Sequence, residues 1–115
     1  MIDDEPSVLF ALKLLLEALG FLVKDFTSPF EAAQHLRTQH NYDLVLCDLR
    51  MPEMDGISLL EDLRKYAPHL PFILISGHAQ VEEIEKASAL GAAGFLDKPF
   101  TPEQLGMLLS KISKM

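Results

Sequence analysis

A single cysteine, Cys47, stands in a chain of 115 residues. It has no partner for an internal disulfide, so a reducing cytoplasm is the expected compartment. Long apolar runs are missing too. Stretches such as Phe72-Ile73-Leu74-Ile75 are far too short to cross a bilayer. No basic stretch leads into a long apolar segment and a small-residue cleavage site. Cations are scarce: 10 Lys and Arg stand against 17 Asp and Glu, a net charge of −7. That balance argues against direct binding to nucleic acid, which needs clustered cations to neutralise phosphates. Internal repeats, low-complexity segments and linkers are absent as well. The 49% hydrophobic and 23% charged content is that of an ordinary globular domain. Residues 1–115 are long enough for one core and are read as one domain.

Apolar runs alternate with segments of helical period. Val8, Leu12, Leu15, Leu16 and Leu19 share one helical face, with Gly20 placed to end the helix. Residues 21–26 read as a short strand. Ser28-Pro29-Phe30-Glu31 is a helix start, with a Ser cap, Pro in the first turn and Glu three residues after the cap. That helix should run to about His40. Residues 42–47 form a strand apolar throughout, as expected when helices cover both faces. A helix over 56–66 follows, then a buried strand over 72–75 and a helix from Val81 to near Gly91. A short strand over 94–96 precedes Lys98-Pro99. Thr101-Pro102-Glu103-Gln104 has capping-box spacing before a last helix lined by Leu105, Leu108, Leu109 and Ile112.

This alternation predicts an α/β fold: a doubly wound parallel sheet with helices on both faces. Ligands of such folds sit beyond the carboxyl ends of the strands, where strand order reverses. Asp48, Ser76 and Lys98 each follow a predicted strand and so belong at that edge. Asp3-Asp4 would join them after a first strand. Only Met1 and Ile2 remain to form that strand, whereas a central strand usually needs about five residues. The first strand is therefore expected to be truncated, with further residues upstream of Met1 in the natural domain.

Converging carboxylates repel one another and become tenable with a cation between them. Asp3, Asp4 and Asp48 offer hard oxygens of the kind Mg²⁺ takes together with a phosphate. Lys98 adds a movable positive charge suited to a phosphoryl oxygen, and Ser76 adds a hydroxyl. The set suggests phosphoryl transfer by positioning and charge neutralisation, with a carboxylate as nucleophile.

Asp3-Asp4-Glu5-Pro6, Asp48-Leu49-Arg50-Met51-Pro52-Glu53-Met54-Asp55-Gly56, Ile75-Ser76-Gly77-His78-Ala79 and Lys98-Pro99-Phe100 stand in an order and at spacings that resemble the receiver domain of bacterial two-component response regulators. The likeness covers essentially the whole chain. It implies a flavodoxin-like, five-stranded parallel sheet in the order 2-1-3-4-5, and a phosphorylation-controlled signalling switch rather than an enzyme. By the resemblance, Asp48 is the phosphoacceptor for a sensor histidine kinase or phosphotransfer protein. Asp4 is a direct Mg²⁺ ligand, Asp3 acts through water, and the backbone carbonyl of Arg50 is the third protein ligand. Ser76 and Lys98 take up the phosphoryl group, and Phe95 is the aromatic switch position. Arg50 and His78 fall where the family tunes dephosphorylation. Lys98-Pro99 is expected to be cis. The reporting face is the fourth helix, fifth strand and fifth helix, used to contact an output domain or form a homodimer, often in transcriptional control. No direct contact of this domain with nucleic acid or membrane is implied.

Plainer readings exist for each residue taken alone. Asp48 is a strand-end cap, Asp3-Asp4 a charge pair at the positive end of a helix dipole, Ser76-Gly77 a turn, Lys98 a surface lysine and Phe95 a core aromatic. His78 has no second His or Cys at ligand spacing; His35, His40 and His69 read as surface or loop residues. A turnover phosphohydrolase commonly carries a second acid two residues after its nucleophile, where Arg50 stands here. A degenerate receiver that binds partners without phosphorylation is the alternative function, and the intact acidic pair with Asp48, Ser76 and Lys98 argues against it.

Overall fold

The computed structural model describes residues 1–113. In chain order it contains α1 (Pro6–Ala18), α2 (Pro29–Thr38), β1 (Val45–Asp48), α3 (Gly56–Arg64), β2 (Phe72–Ser76), α4 (Val81–Ala89), β3 (Gly94–Asp97) and α5 (Pro102–Ser113). The three strands form one parallel sheet in the order β1-β2-β3, with Asp48 beside Ile75 and Ser76 beside Asp97.

The strand pleat divides the core in two. Val45, Cys47, Phe72 and Leu74 point to one side, where Ala32, Ala33 and Leu36 of α2, Leu59, Leu60 and Leu63 of α3 and Ala87 of α4 cover them. Leu46, Ile73, Ile75 and Leu96 point to the other, against Leu12 and Leu16 of α1 and Leu105 and Leu109 of α5. Alternate residues of one apolar strand therefore feed different helix layers, which is why β1 and β2 are buried along their whole length, while β3 at the sheet edge is buried only at Leu96. The sandwich of helices around a parallel sheet is as expected.

The expected order of five strands is met in part: β1-β2-β3 correspond to its last three, and the first two are not formed as strands. Among the described residues the sheet has three strands, and 21–26 is not a strand. Isolated parallel bridges join Ile2 to Phe26 on one side and to Cys47 on the other. Ile2 donates to the Leu46 carbonyl at 2.8 Å and accepts from the Asp48 amide at 2.9 Å. Phe26 donates to the Met1 carbonyl at 3.0 Å and accepts from the Asp3 amide at 3.1 Å. One residue flanked this way gives a bridge on each side and no ladder. The apolar sequence at 21–26 finds no continuous strand to pair with: Leu22 is fully exposed and Phe21 about a third exposed, at 37%.

Local signals behave as their chemistry demands. Ser28 Oγ accepts from the Glu31 amide at 3.2 Å, Asp55 caps α3 by accepting from the Ser58 amide at 2.8 Å, and Thr101 and Gln104 bond reciprocally at 2.9 and 3.1 Å. Gly20, at φ +96°, ends α1 in a conformation few other residues adopt. On α1 the core face is Leu9, Leu12 and Leu16, whereas Leu19 lies exposed beyond the helix end. His35, expected at the surface, is half-buried in α2 against Phe26 and hydrogen-bonded to the Tyr42 hydroxyl at 2.6 Å. Among the described residues no helix is long and apolar enough to cross a membrane.

Candidate functional site

Parallel strands all end at the same edge, so the residues that follow them gather there. Asp48 is the last residue of β1, Ser76 the last of β2, and Lys98 follows β3 directly. Asp3 and Asp4 reach the same edge because Ile2 is fixed between Phe26 and Cys47. Carboxylate oxygens of Asp3, Asp4 and Asp48 all lie within 4.8 Å of one another. Asp3 and Asp48 are buried, and Asp4 is half-buried. The Lys98 ammonium lies 3.1 Å from Asp48 Oδ1 and 3.6 Å from Asp3 Oδ2. The other Asp3 oxygen accepts from the Glu5 amide at 3.0 Å, at the start of α1.

Three carboxylates facing one ammonium leave the site short of positive charge. Burial pushes the Asp48 carboxyl above its ordinary range; the Lys98 hydrogen bond pulls it down, and the charges of Asp3 and Asp4 push it up again. For Lys98, burial alone would depress the ammonium. The hydrogen bond and charge of Asp48, with Asp3 behind it, outweigh that and hold it above its ordinary value. The clustered donors are all hard oxygens, and their excess negative charge is of the kind a small divalent cation neutralises. The donor set therefore fits Mg²⁺.

The remaining residues singled out in the sequence are placed differently. Ser76 is buried, and its Oγ accepts from the His78 amide at 3.1 Å. Phe95, in β3 beside Leu74, is half-buried and packs on the core layer of α2, α3 and α4. The Arg50 side chain turns toward α4: it forms a fork with Glu83 at 2.8 and 3.0 Å and donates to the His78 carbonyl at 3.1 Å. The Lys98-Pro99 peptide is cis. Cys47 is wholly buried on the face opposite α1 and α5, and burial drives its thiol pKa far upward.

Two features of the site had escaped the sequence reading. Glu83 was not singled out, although Gln80 and Glu83 have capping-box spacing; the Glu83 carboxylate accepts from the Gln80 amide at 2.8 Å as well as from Arg50. In the sequence Gly56 marks the end of the Asp48–Gly56 segment and a helix start, with no packing role assigned to it. A Cβ there would stand 2.7 Å from the Asp48 carbonyl oxygen and 2.5 Å from Leu74 Cδ2, so α3 begins in direct contact with the end of β1.

The family model described as the response regulator receiver domain matches residues 1–110. Curated relatives include the transcriptional regulatory protein ZraR of Escherichia coli K12, 35% identical over 111 residues, which cover 96% of this chain and 25% of the relative. The C4-dicarboxylate transport transcriptional regulatory protein DctD of Rhizobium meliloti is 36% identical over 105 residues, 91% of this chain and 23% of the relative. The chain thus spans about a quarter of the length of these relatives. Among solved structures, a receiver domain protein from Clostridium thermocellum superposes with a TM-score of 0.92 at 31% identity, covering 98% of this chain and 90% of that one. The chemotaxis protein CheY4 of Vibrio cholerae gives 0.88 at 26% identity, covering 96% and 93%. These neighbours place the chain in the flavodoxin-like receiver fold. The edge that gathers Asp3, Asp4, Asp48 and Lys98 and the match along nearly the whole length agree: this chain belongs to the receiver domain family of two-component response regulators.

Proposed function

We propose that Asp48 is the phosphoacceptor of a signalling switch, taking its phosphoryl group from a phosphohistidine of a sensor histidine kinase or phosphotransfer protein. The observation that carries this reading is the convergence of three carboxylates within 4.8 Å around a buried Asp48 that pairs with Lys98 at 3.1 Å. A carboxylate oxygen of Asp48 attacks phosphorus, the P–N bond breaks, and the imidazole leaves with its electron pair and takes up a proton. Asp3, Asp4 and Asp48, with the backbone carbonyl of Arg50, would hold Mg²⁺, which supplies the positive charge the phosphoryl oxygens need. Lys98 exchanges part of its contact with Asp48 for the incoming phosphoryl oxygen.

The output is conformational. Ser76 turns its hydroxyl from the His78 amide to the phosphoryl group, and Phe95 follows inward as room opens beside it. The face built of α4, β3 and α5 then presents a different surface to an output domain, or to a second copy in a homodimer. Val81, Ile84 and Met107 are exposed apolar side chains on α4 and α5 suited to such a contact. Transcriptional control in the cytoplasm is the setting that the transcriptional relatives favour, with residues 1–115 serving as the receiver unit. Bias between the two conformations needs only a few kcal/mol, about what a new charged group in a partly dry site provides.

Acetyl phosphate with Mg²⁺ should add one phosphoryl group to the protein, read by intact mass, and Asp48→Asn should abolish it. An unmodified wild type, or equal modification of the variant, would remove Asp48 from the role.

A further inference from the structure

Arg50 does not face the carboxylates that precede it in the chain. Its guanidinium meets Glu83 through both terminal nitrogens, Nη1 to Oε2 at 3.0 Å and Nη2 to Oε1 at 2.8 Å, and Nη2 also donates to the His78 carbonyl at 3.1 Å. The His78 amide in turn donates to Ser76 Oγ at 3.1 Å. Glu83 Oε1 additionally accepts from the Gln80 amide at 2.8 Å, which fixes the carboxylate to the first turn of α4. A continuous set of polar contacts therefore runs from the loop after Asp48, across the loop after β2, to the start of α4.

We propose that the Arg50–Glu83 fork is a latch that holds Ser76 in its unphosphorylated position, with Glu83 as the positioning residue for Arg50. This rests on the reading of Asp48 as phosphoacceptor. Ser76 Oγ can reach a phosphoryl group only by giving up the His78 amide, and Arg50 pins the carbonyl of that same residue. Fork geometry is specific to a guanidinium and a carboxylate, and a phosphoryl group offers a guanidinium the same geometry with more charge. New negative charge on Asp48 competes with Glu83 for Arg50; as Arg50 departs, the 77–80 loop is released and Ser76 is free to turn. An exposed ion pair contributes little to global stability as a rule. Arg50 is 55% exposed, so the effect of the fork is local, on the loop it ties down.

Glu83→Gln tests this, because the amide oxygen still accepts from the Gln80 amide while the charge and half the fork are lost. In the unmodified protein, hydrogen exchange of the His78 amide should speed up in Glu83→Gln and in Arg50→Ala. In the presence of Mg²⁺ Glu83→Gln, which frees Arg50 for the new charge, should be half-saturated at a lower beryllofluoride concentration than wild type, by roughly fivefold, the low end of usual coupling between sites. Glu83→Gln should add nothing in the Arg50→Ala background. Unchanged His78 exchange, or an undiminished effect of Glu83→Gln without Arg50, overturns the latch. A wild type that responds to beryllofluoride alongside a Glu83→Gln variant with the same midpoint also overturns the latch and leaves the phosphoacceptor reading standing. A wild type with no response overturns that reading and the switching role of the fork together.

Discussion

Lys98 and Asp48, fifty residues apart in the chain, meet at 3.1 Å through Nζ and Oδ1. The contact ties the end of β3 to the end of β1 across β2, and it brings one positive charge to a cluster of three negative ones. In the absence of a divalent cation this ammonium offsets the repulsion among Asp3, Asp4 and Asp48.

Replacing Lys98 by Met should therefore lower stability in metal-free buffer, and part of the loss should return when Asp48→Asn is added. A double-mutant cycle by urea unfolding should give a coupling of about 1 kcal/mol, kept modest by the partial exposure of the ammonium. The Lys98 ammonium is held above its ordinary value of 10.5. Its contribution is thus fully present below that pH and fades as pH rises through the folded-state value, so the two proteins should converge in strong alkali.

Asp48→Asn alone should stabilise the metal-free protein at neutral pH by a few degrees in thermal midpoint. The folded chain holds the Asp48 proton more tightly than the unfolded chain, chiefly because the group is buried. Its contribution to stability is greatest below about 3.8, the ordinary value, and is lost as pH rises through the raised folded-state pKa. The advantage of the Asn variant should accordingly vanish in acid and grow toward neutrality. Saturating Mg²⁺ should favour the wild type instead, through mass action on the carboxylate site.

Gly56→Ala should cost about 1–3 kcal/mol, as overpacking of a close contact does. A Cβ at this position would stand 2.7 Å from the Asp48 carbonyl oxygen and 2.5 Å from a methyl group of Leu74. The leucine can shift; the backbone oxygen at the strand end cannot do so without moving Asp48. Urea midpoints check the stability, and the Asp48 amide shift in NMR checks the displacement.

Arg64→Lys should destabilise by about 1 kcal/mol, since carbonyls that are mostly half-buried lose their donors. The Arg64 guanidinium donates to the carbonyls of Ala67, Leu70, Leu90 and Gly91 at 2.7–3.0 Å. It fastens the end of α3 to the end of α4 and to the turn before β2. A lysine keeps the charge but not the planar set of donors, so a melting curve near that of wild type would show that charge, not geometry, is what counts there.

Much of the fold was legible because each buried strand had to be apolar on both sides and two helices carried clear start signals. Ser28 and Thr101 cap helices in the structure through local hydrogen bonds that short sequence patterns encode directly. The meeting of Asp3, Asp4, Asp48 and Lys98 followed from parallel topology alone, since strand ends share an edge. The second strand was misread because 21–26 has strand composition, and composition does not reveal whether a partner ladder exists beside it. Glu83 was hidden for another reason: its partner Arg50 lies 33 residues away, and long-range pairs on loops leave no periodic trace.

The paired bridges of Ile2 have a consequence for motion. The backbone bonds of Met1, Ile2 and Asp3 join Phe26 to Leu46 and Asp48, so the 21–26 segment hangs on the sheet through a three-residue seam. Such a seam opens at lower free energy than the ladders of β1, β2 and β3, and its amides should exchange early as a unit. Asp3 and Asp4 lie at the end of that seam. A cation gripped by them would act as a clasp, slowing exchange at Phe26 and Asp48 while leaving the amides of β2 nearly untouched. Opening of the Met1–Asp3 seam would then govern how often the acidic pair is in place.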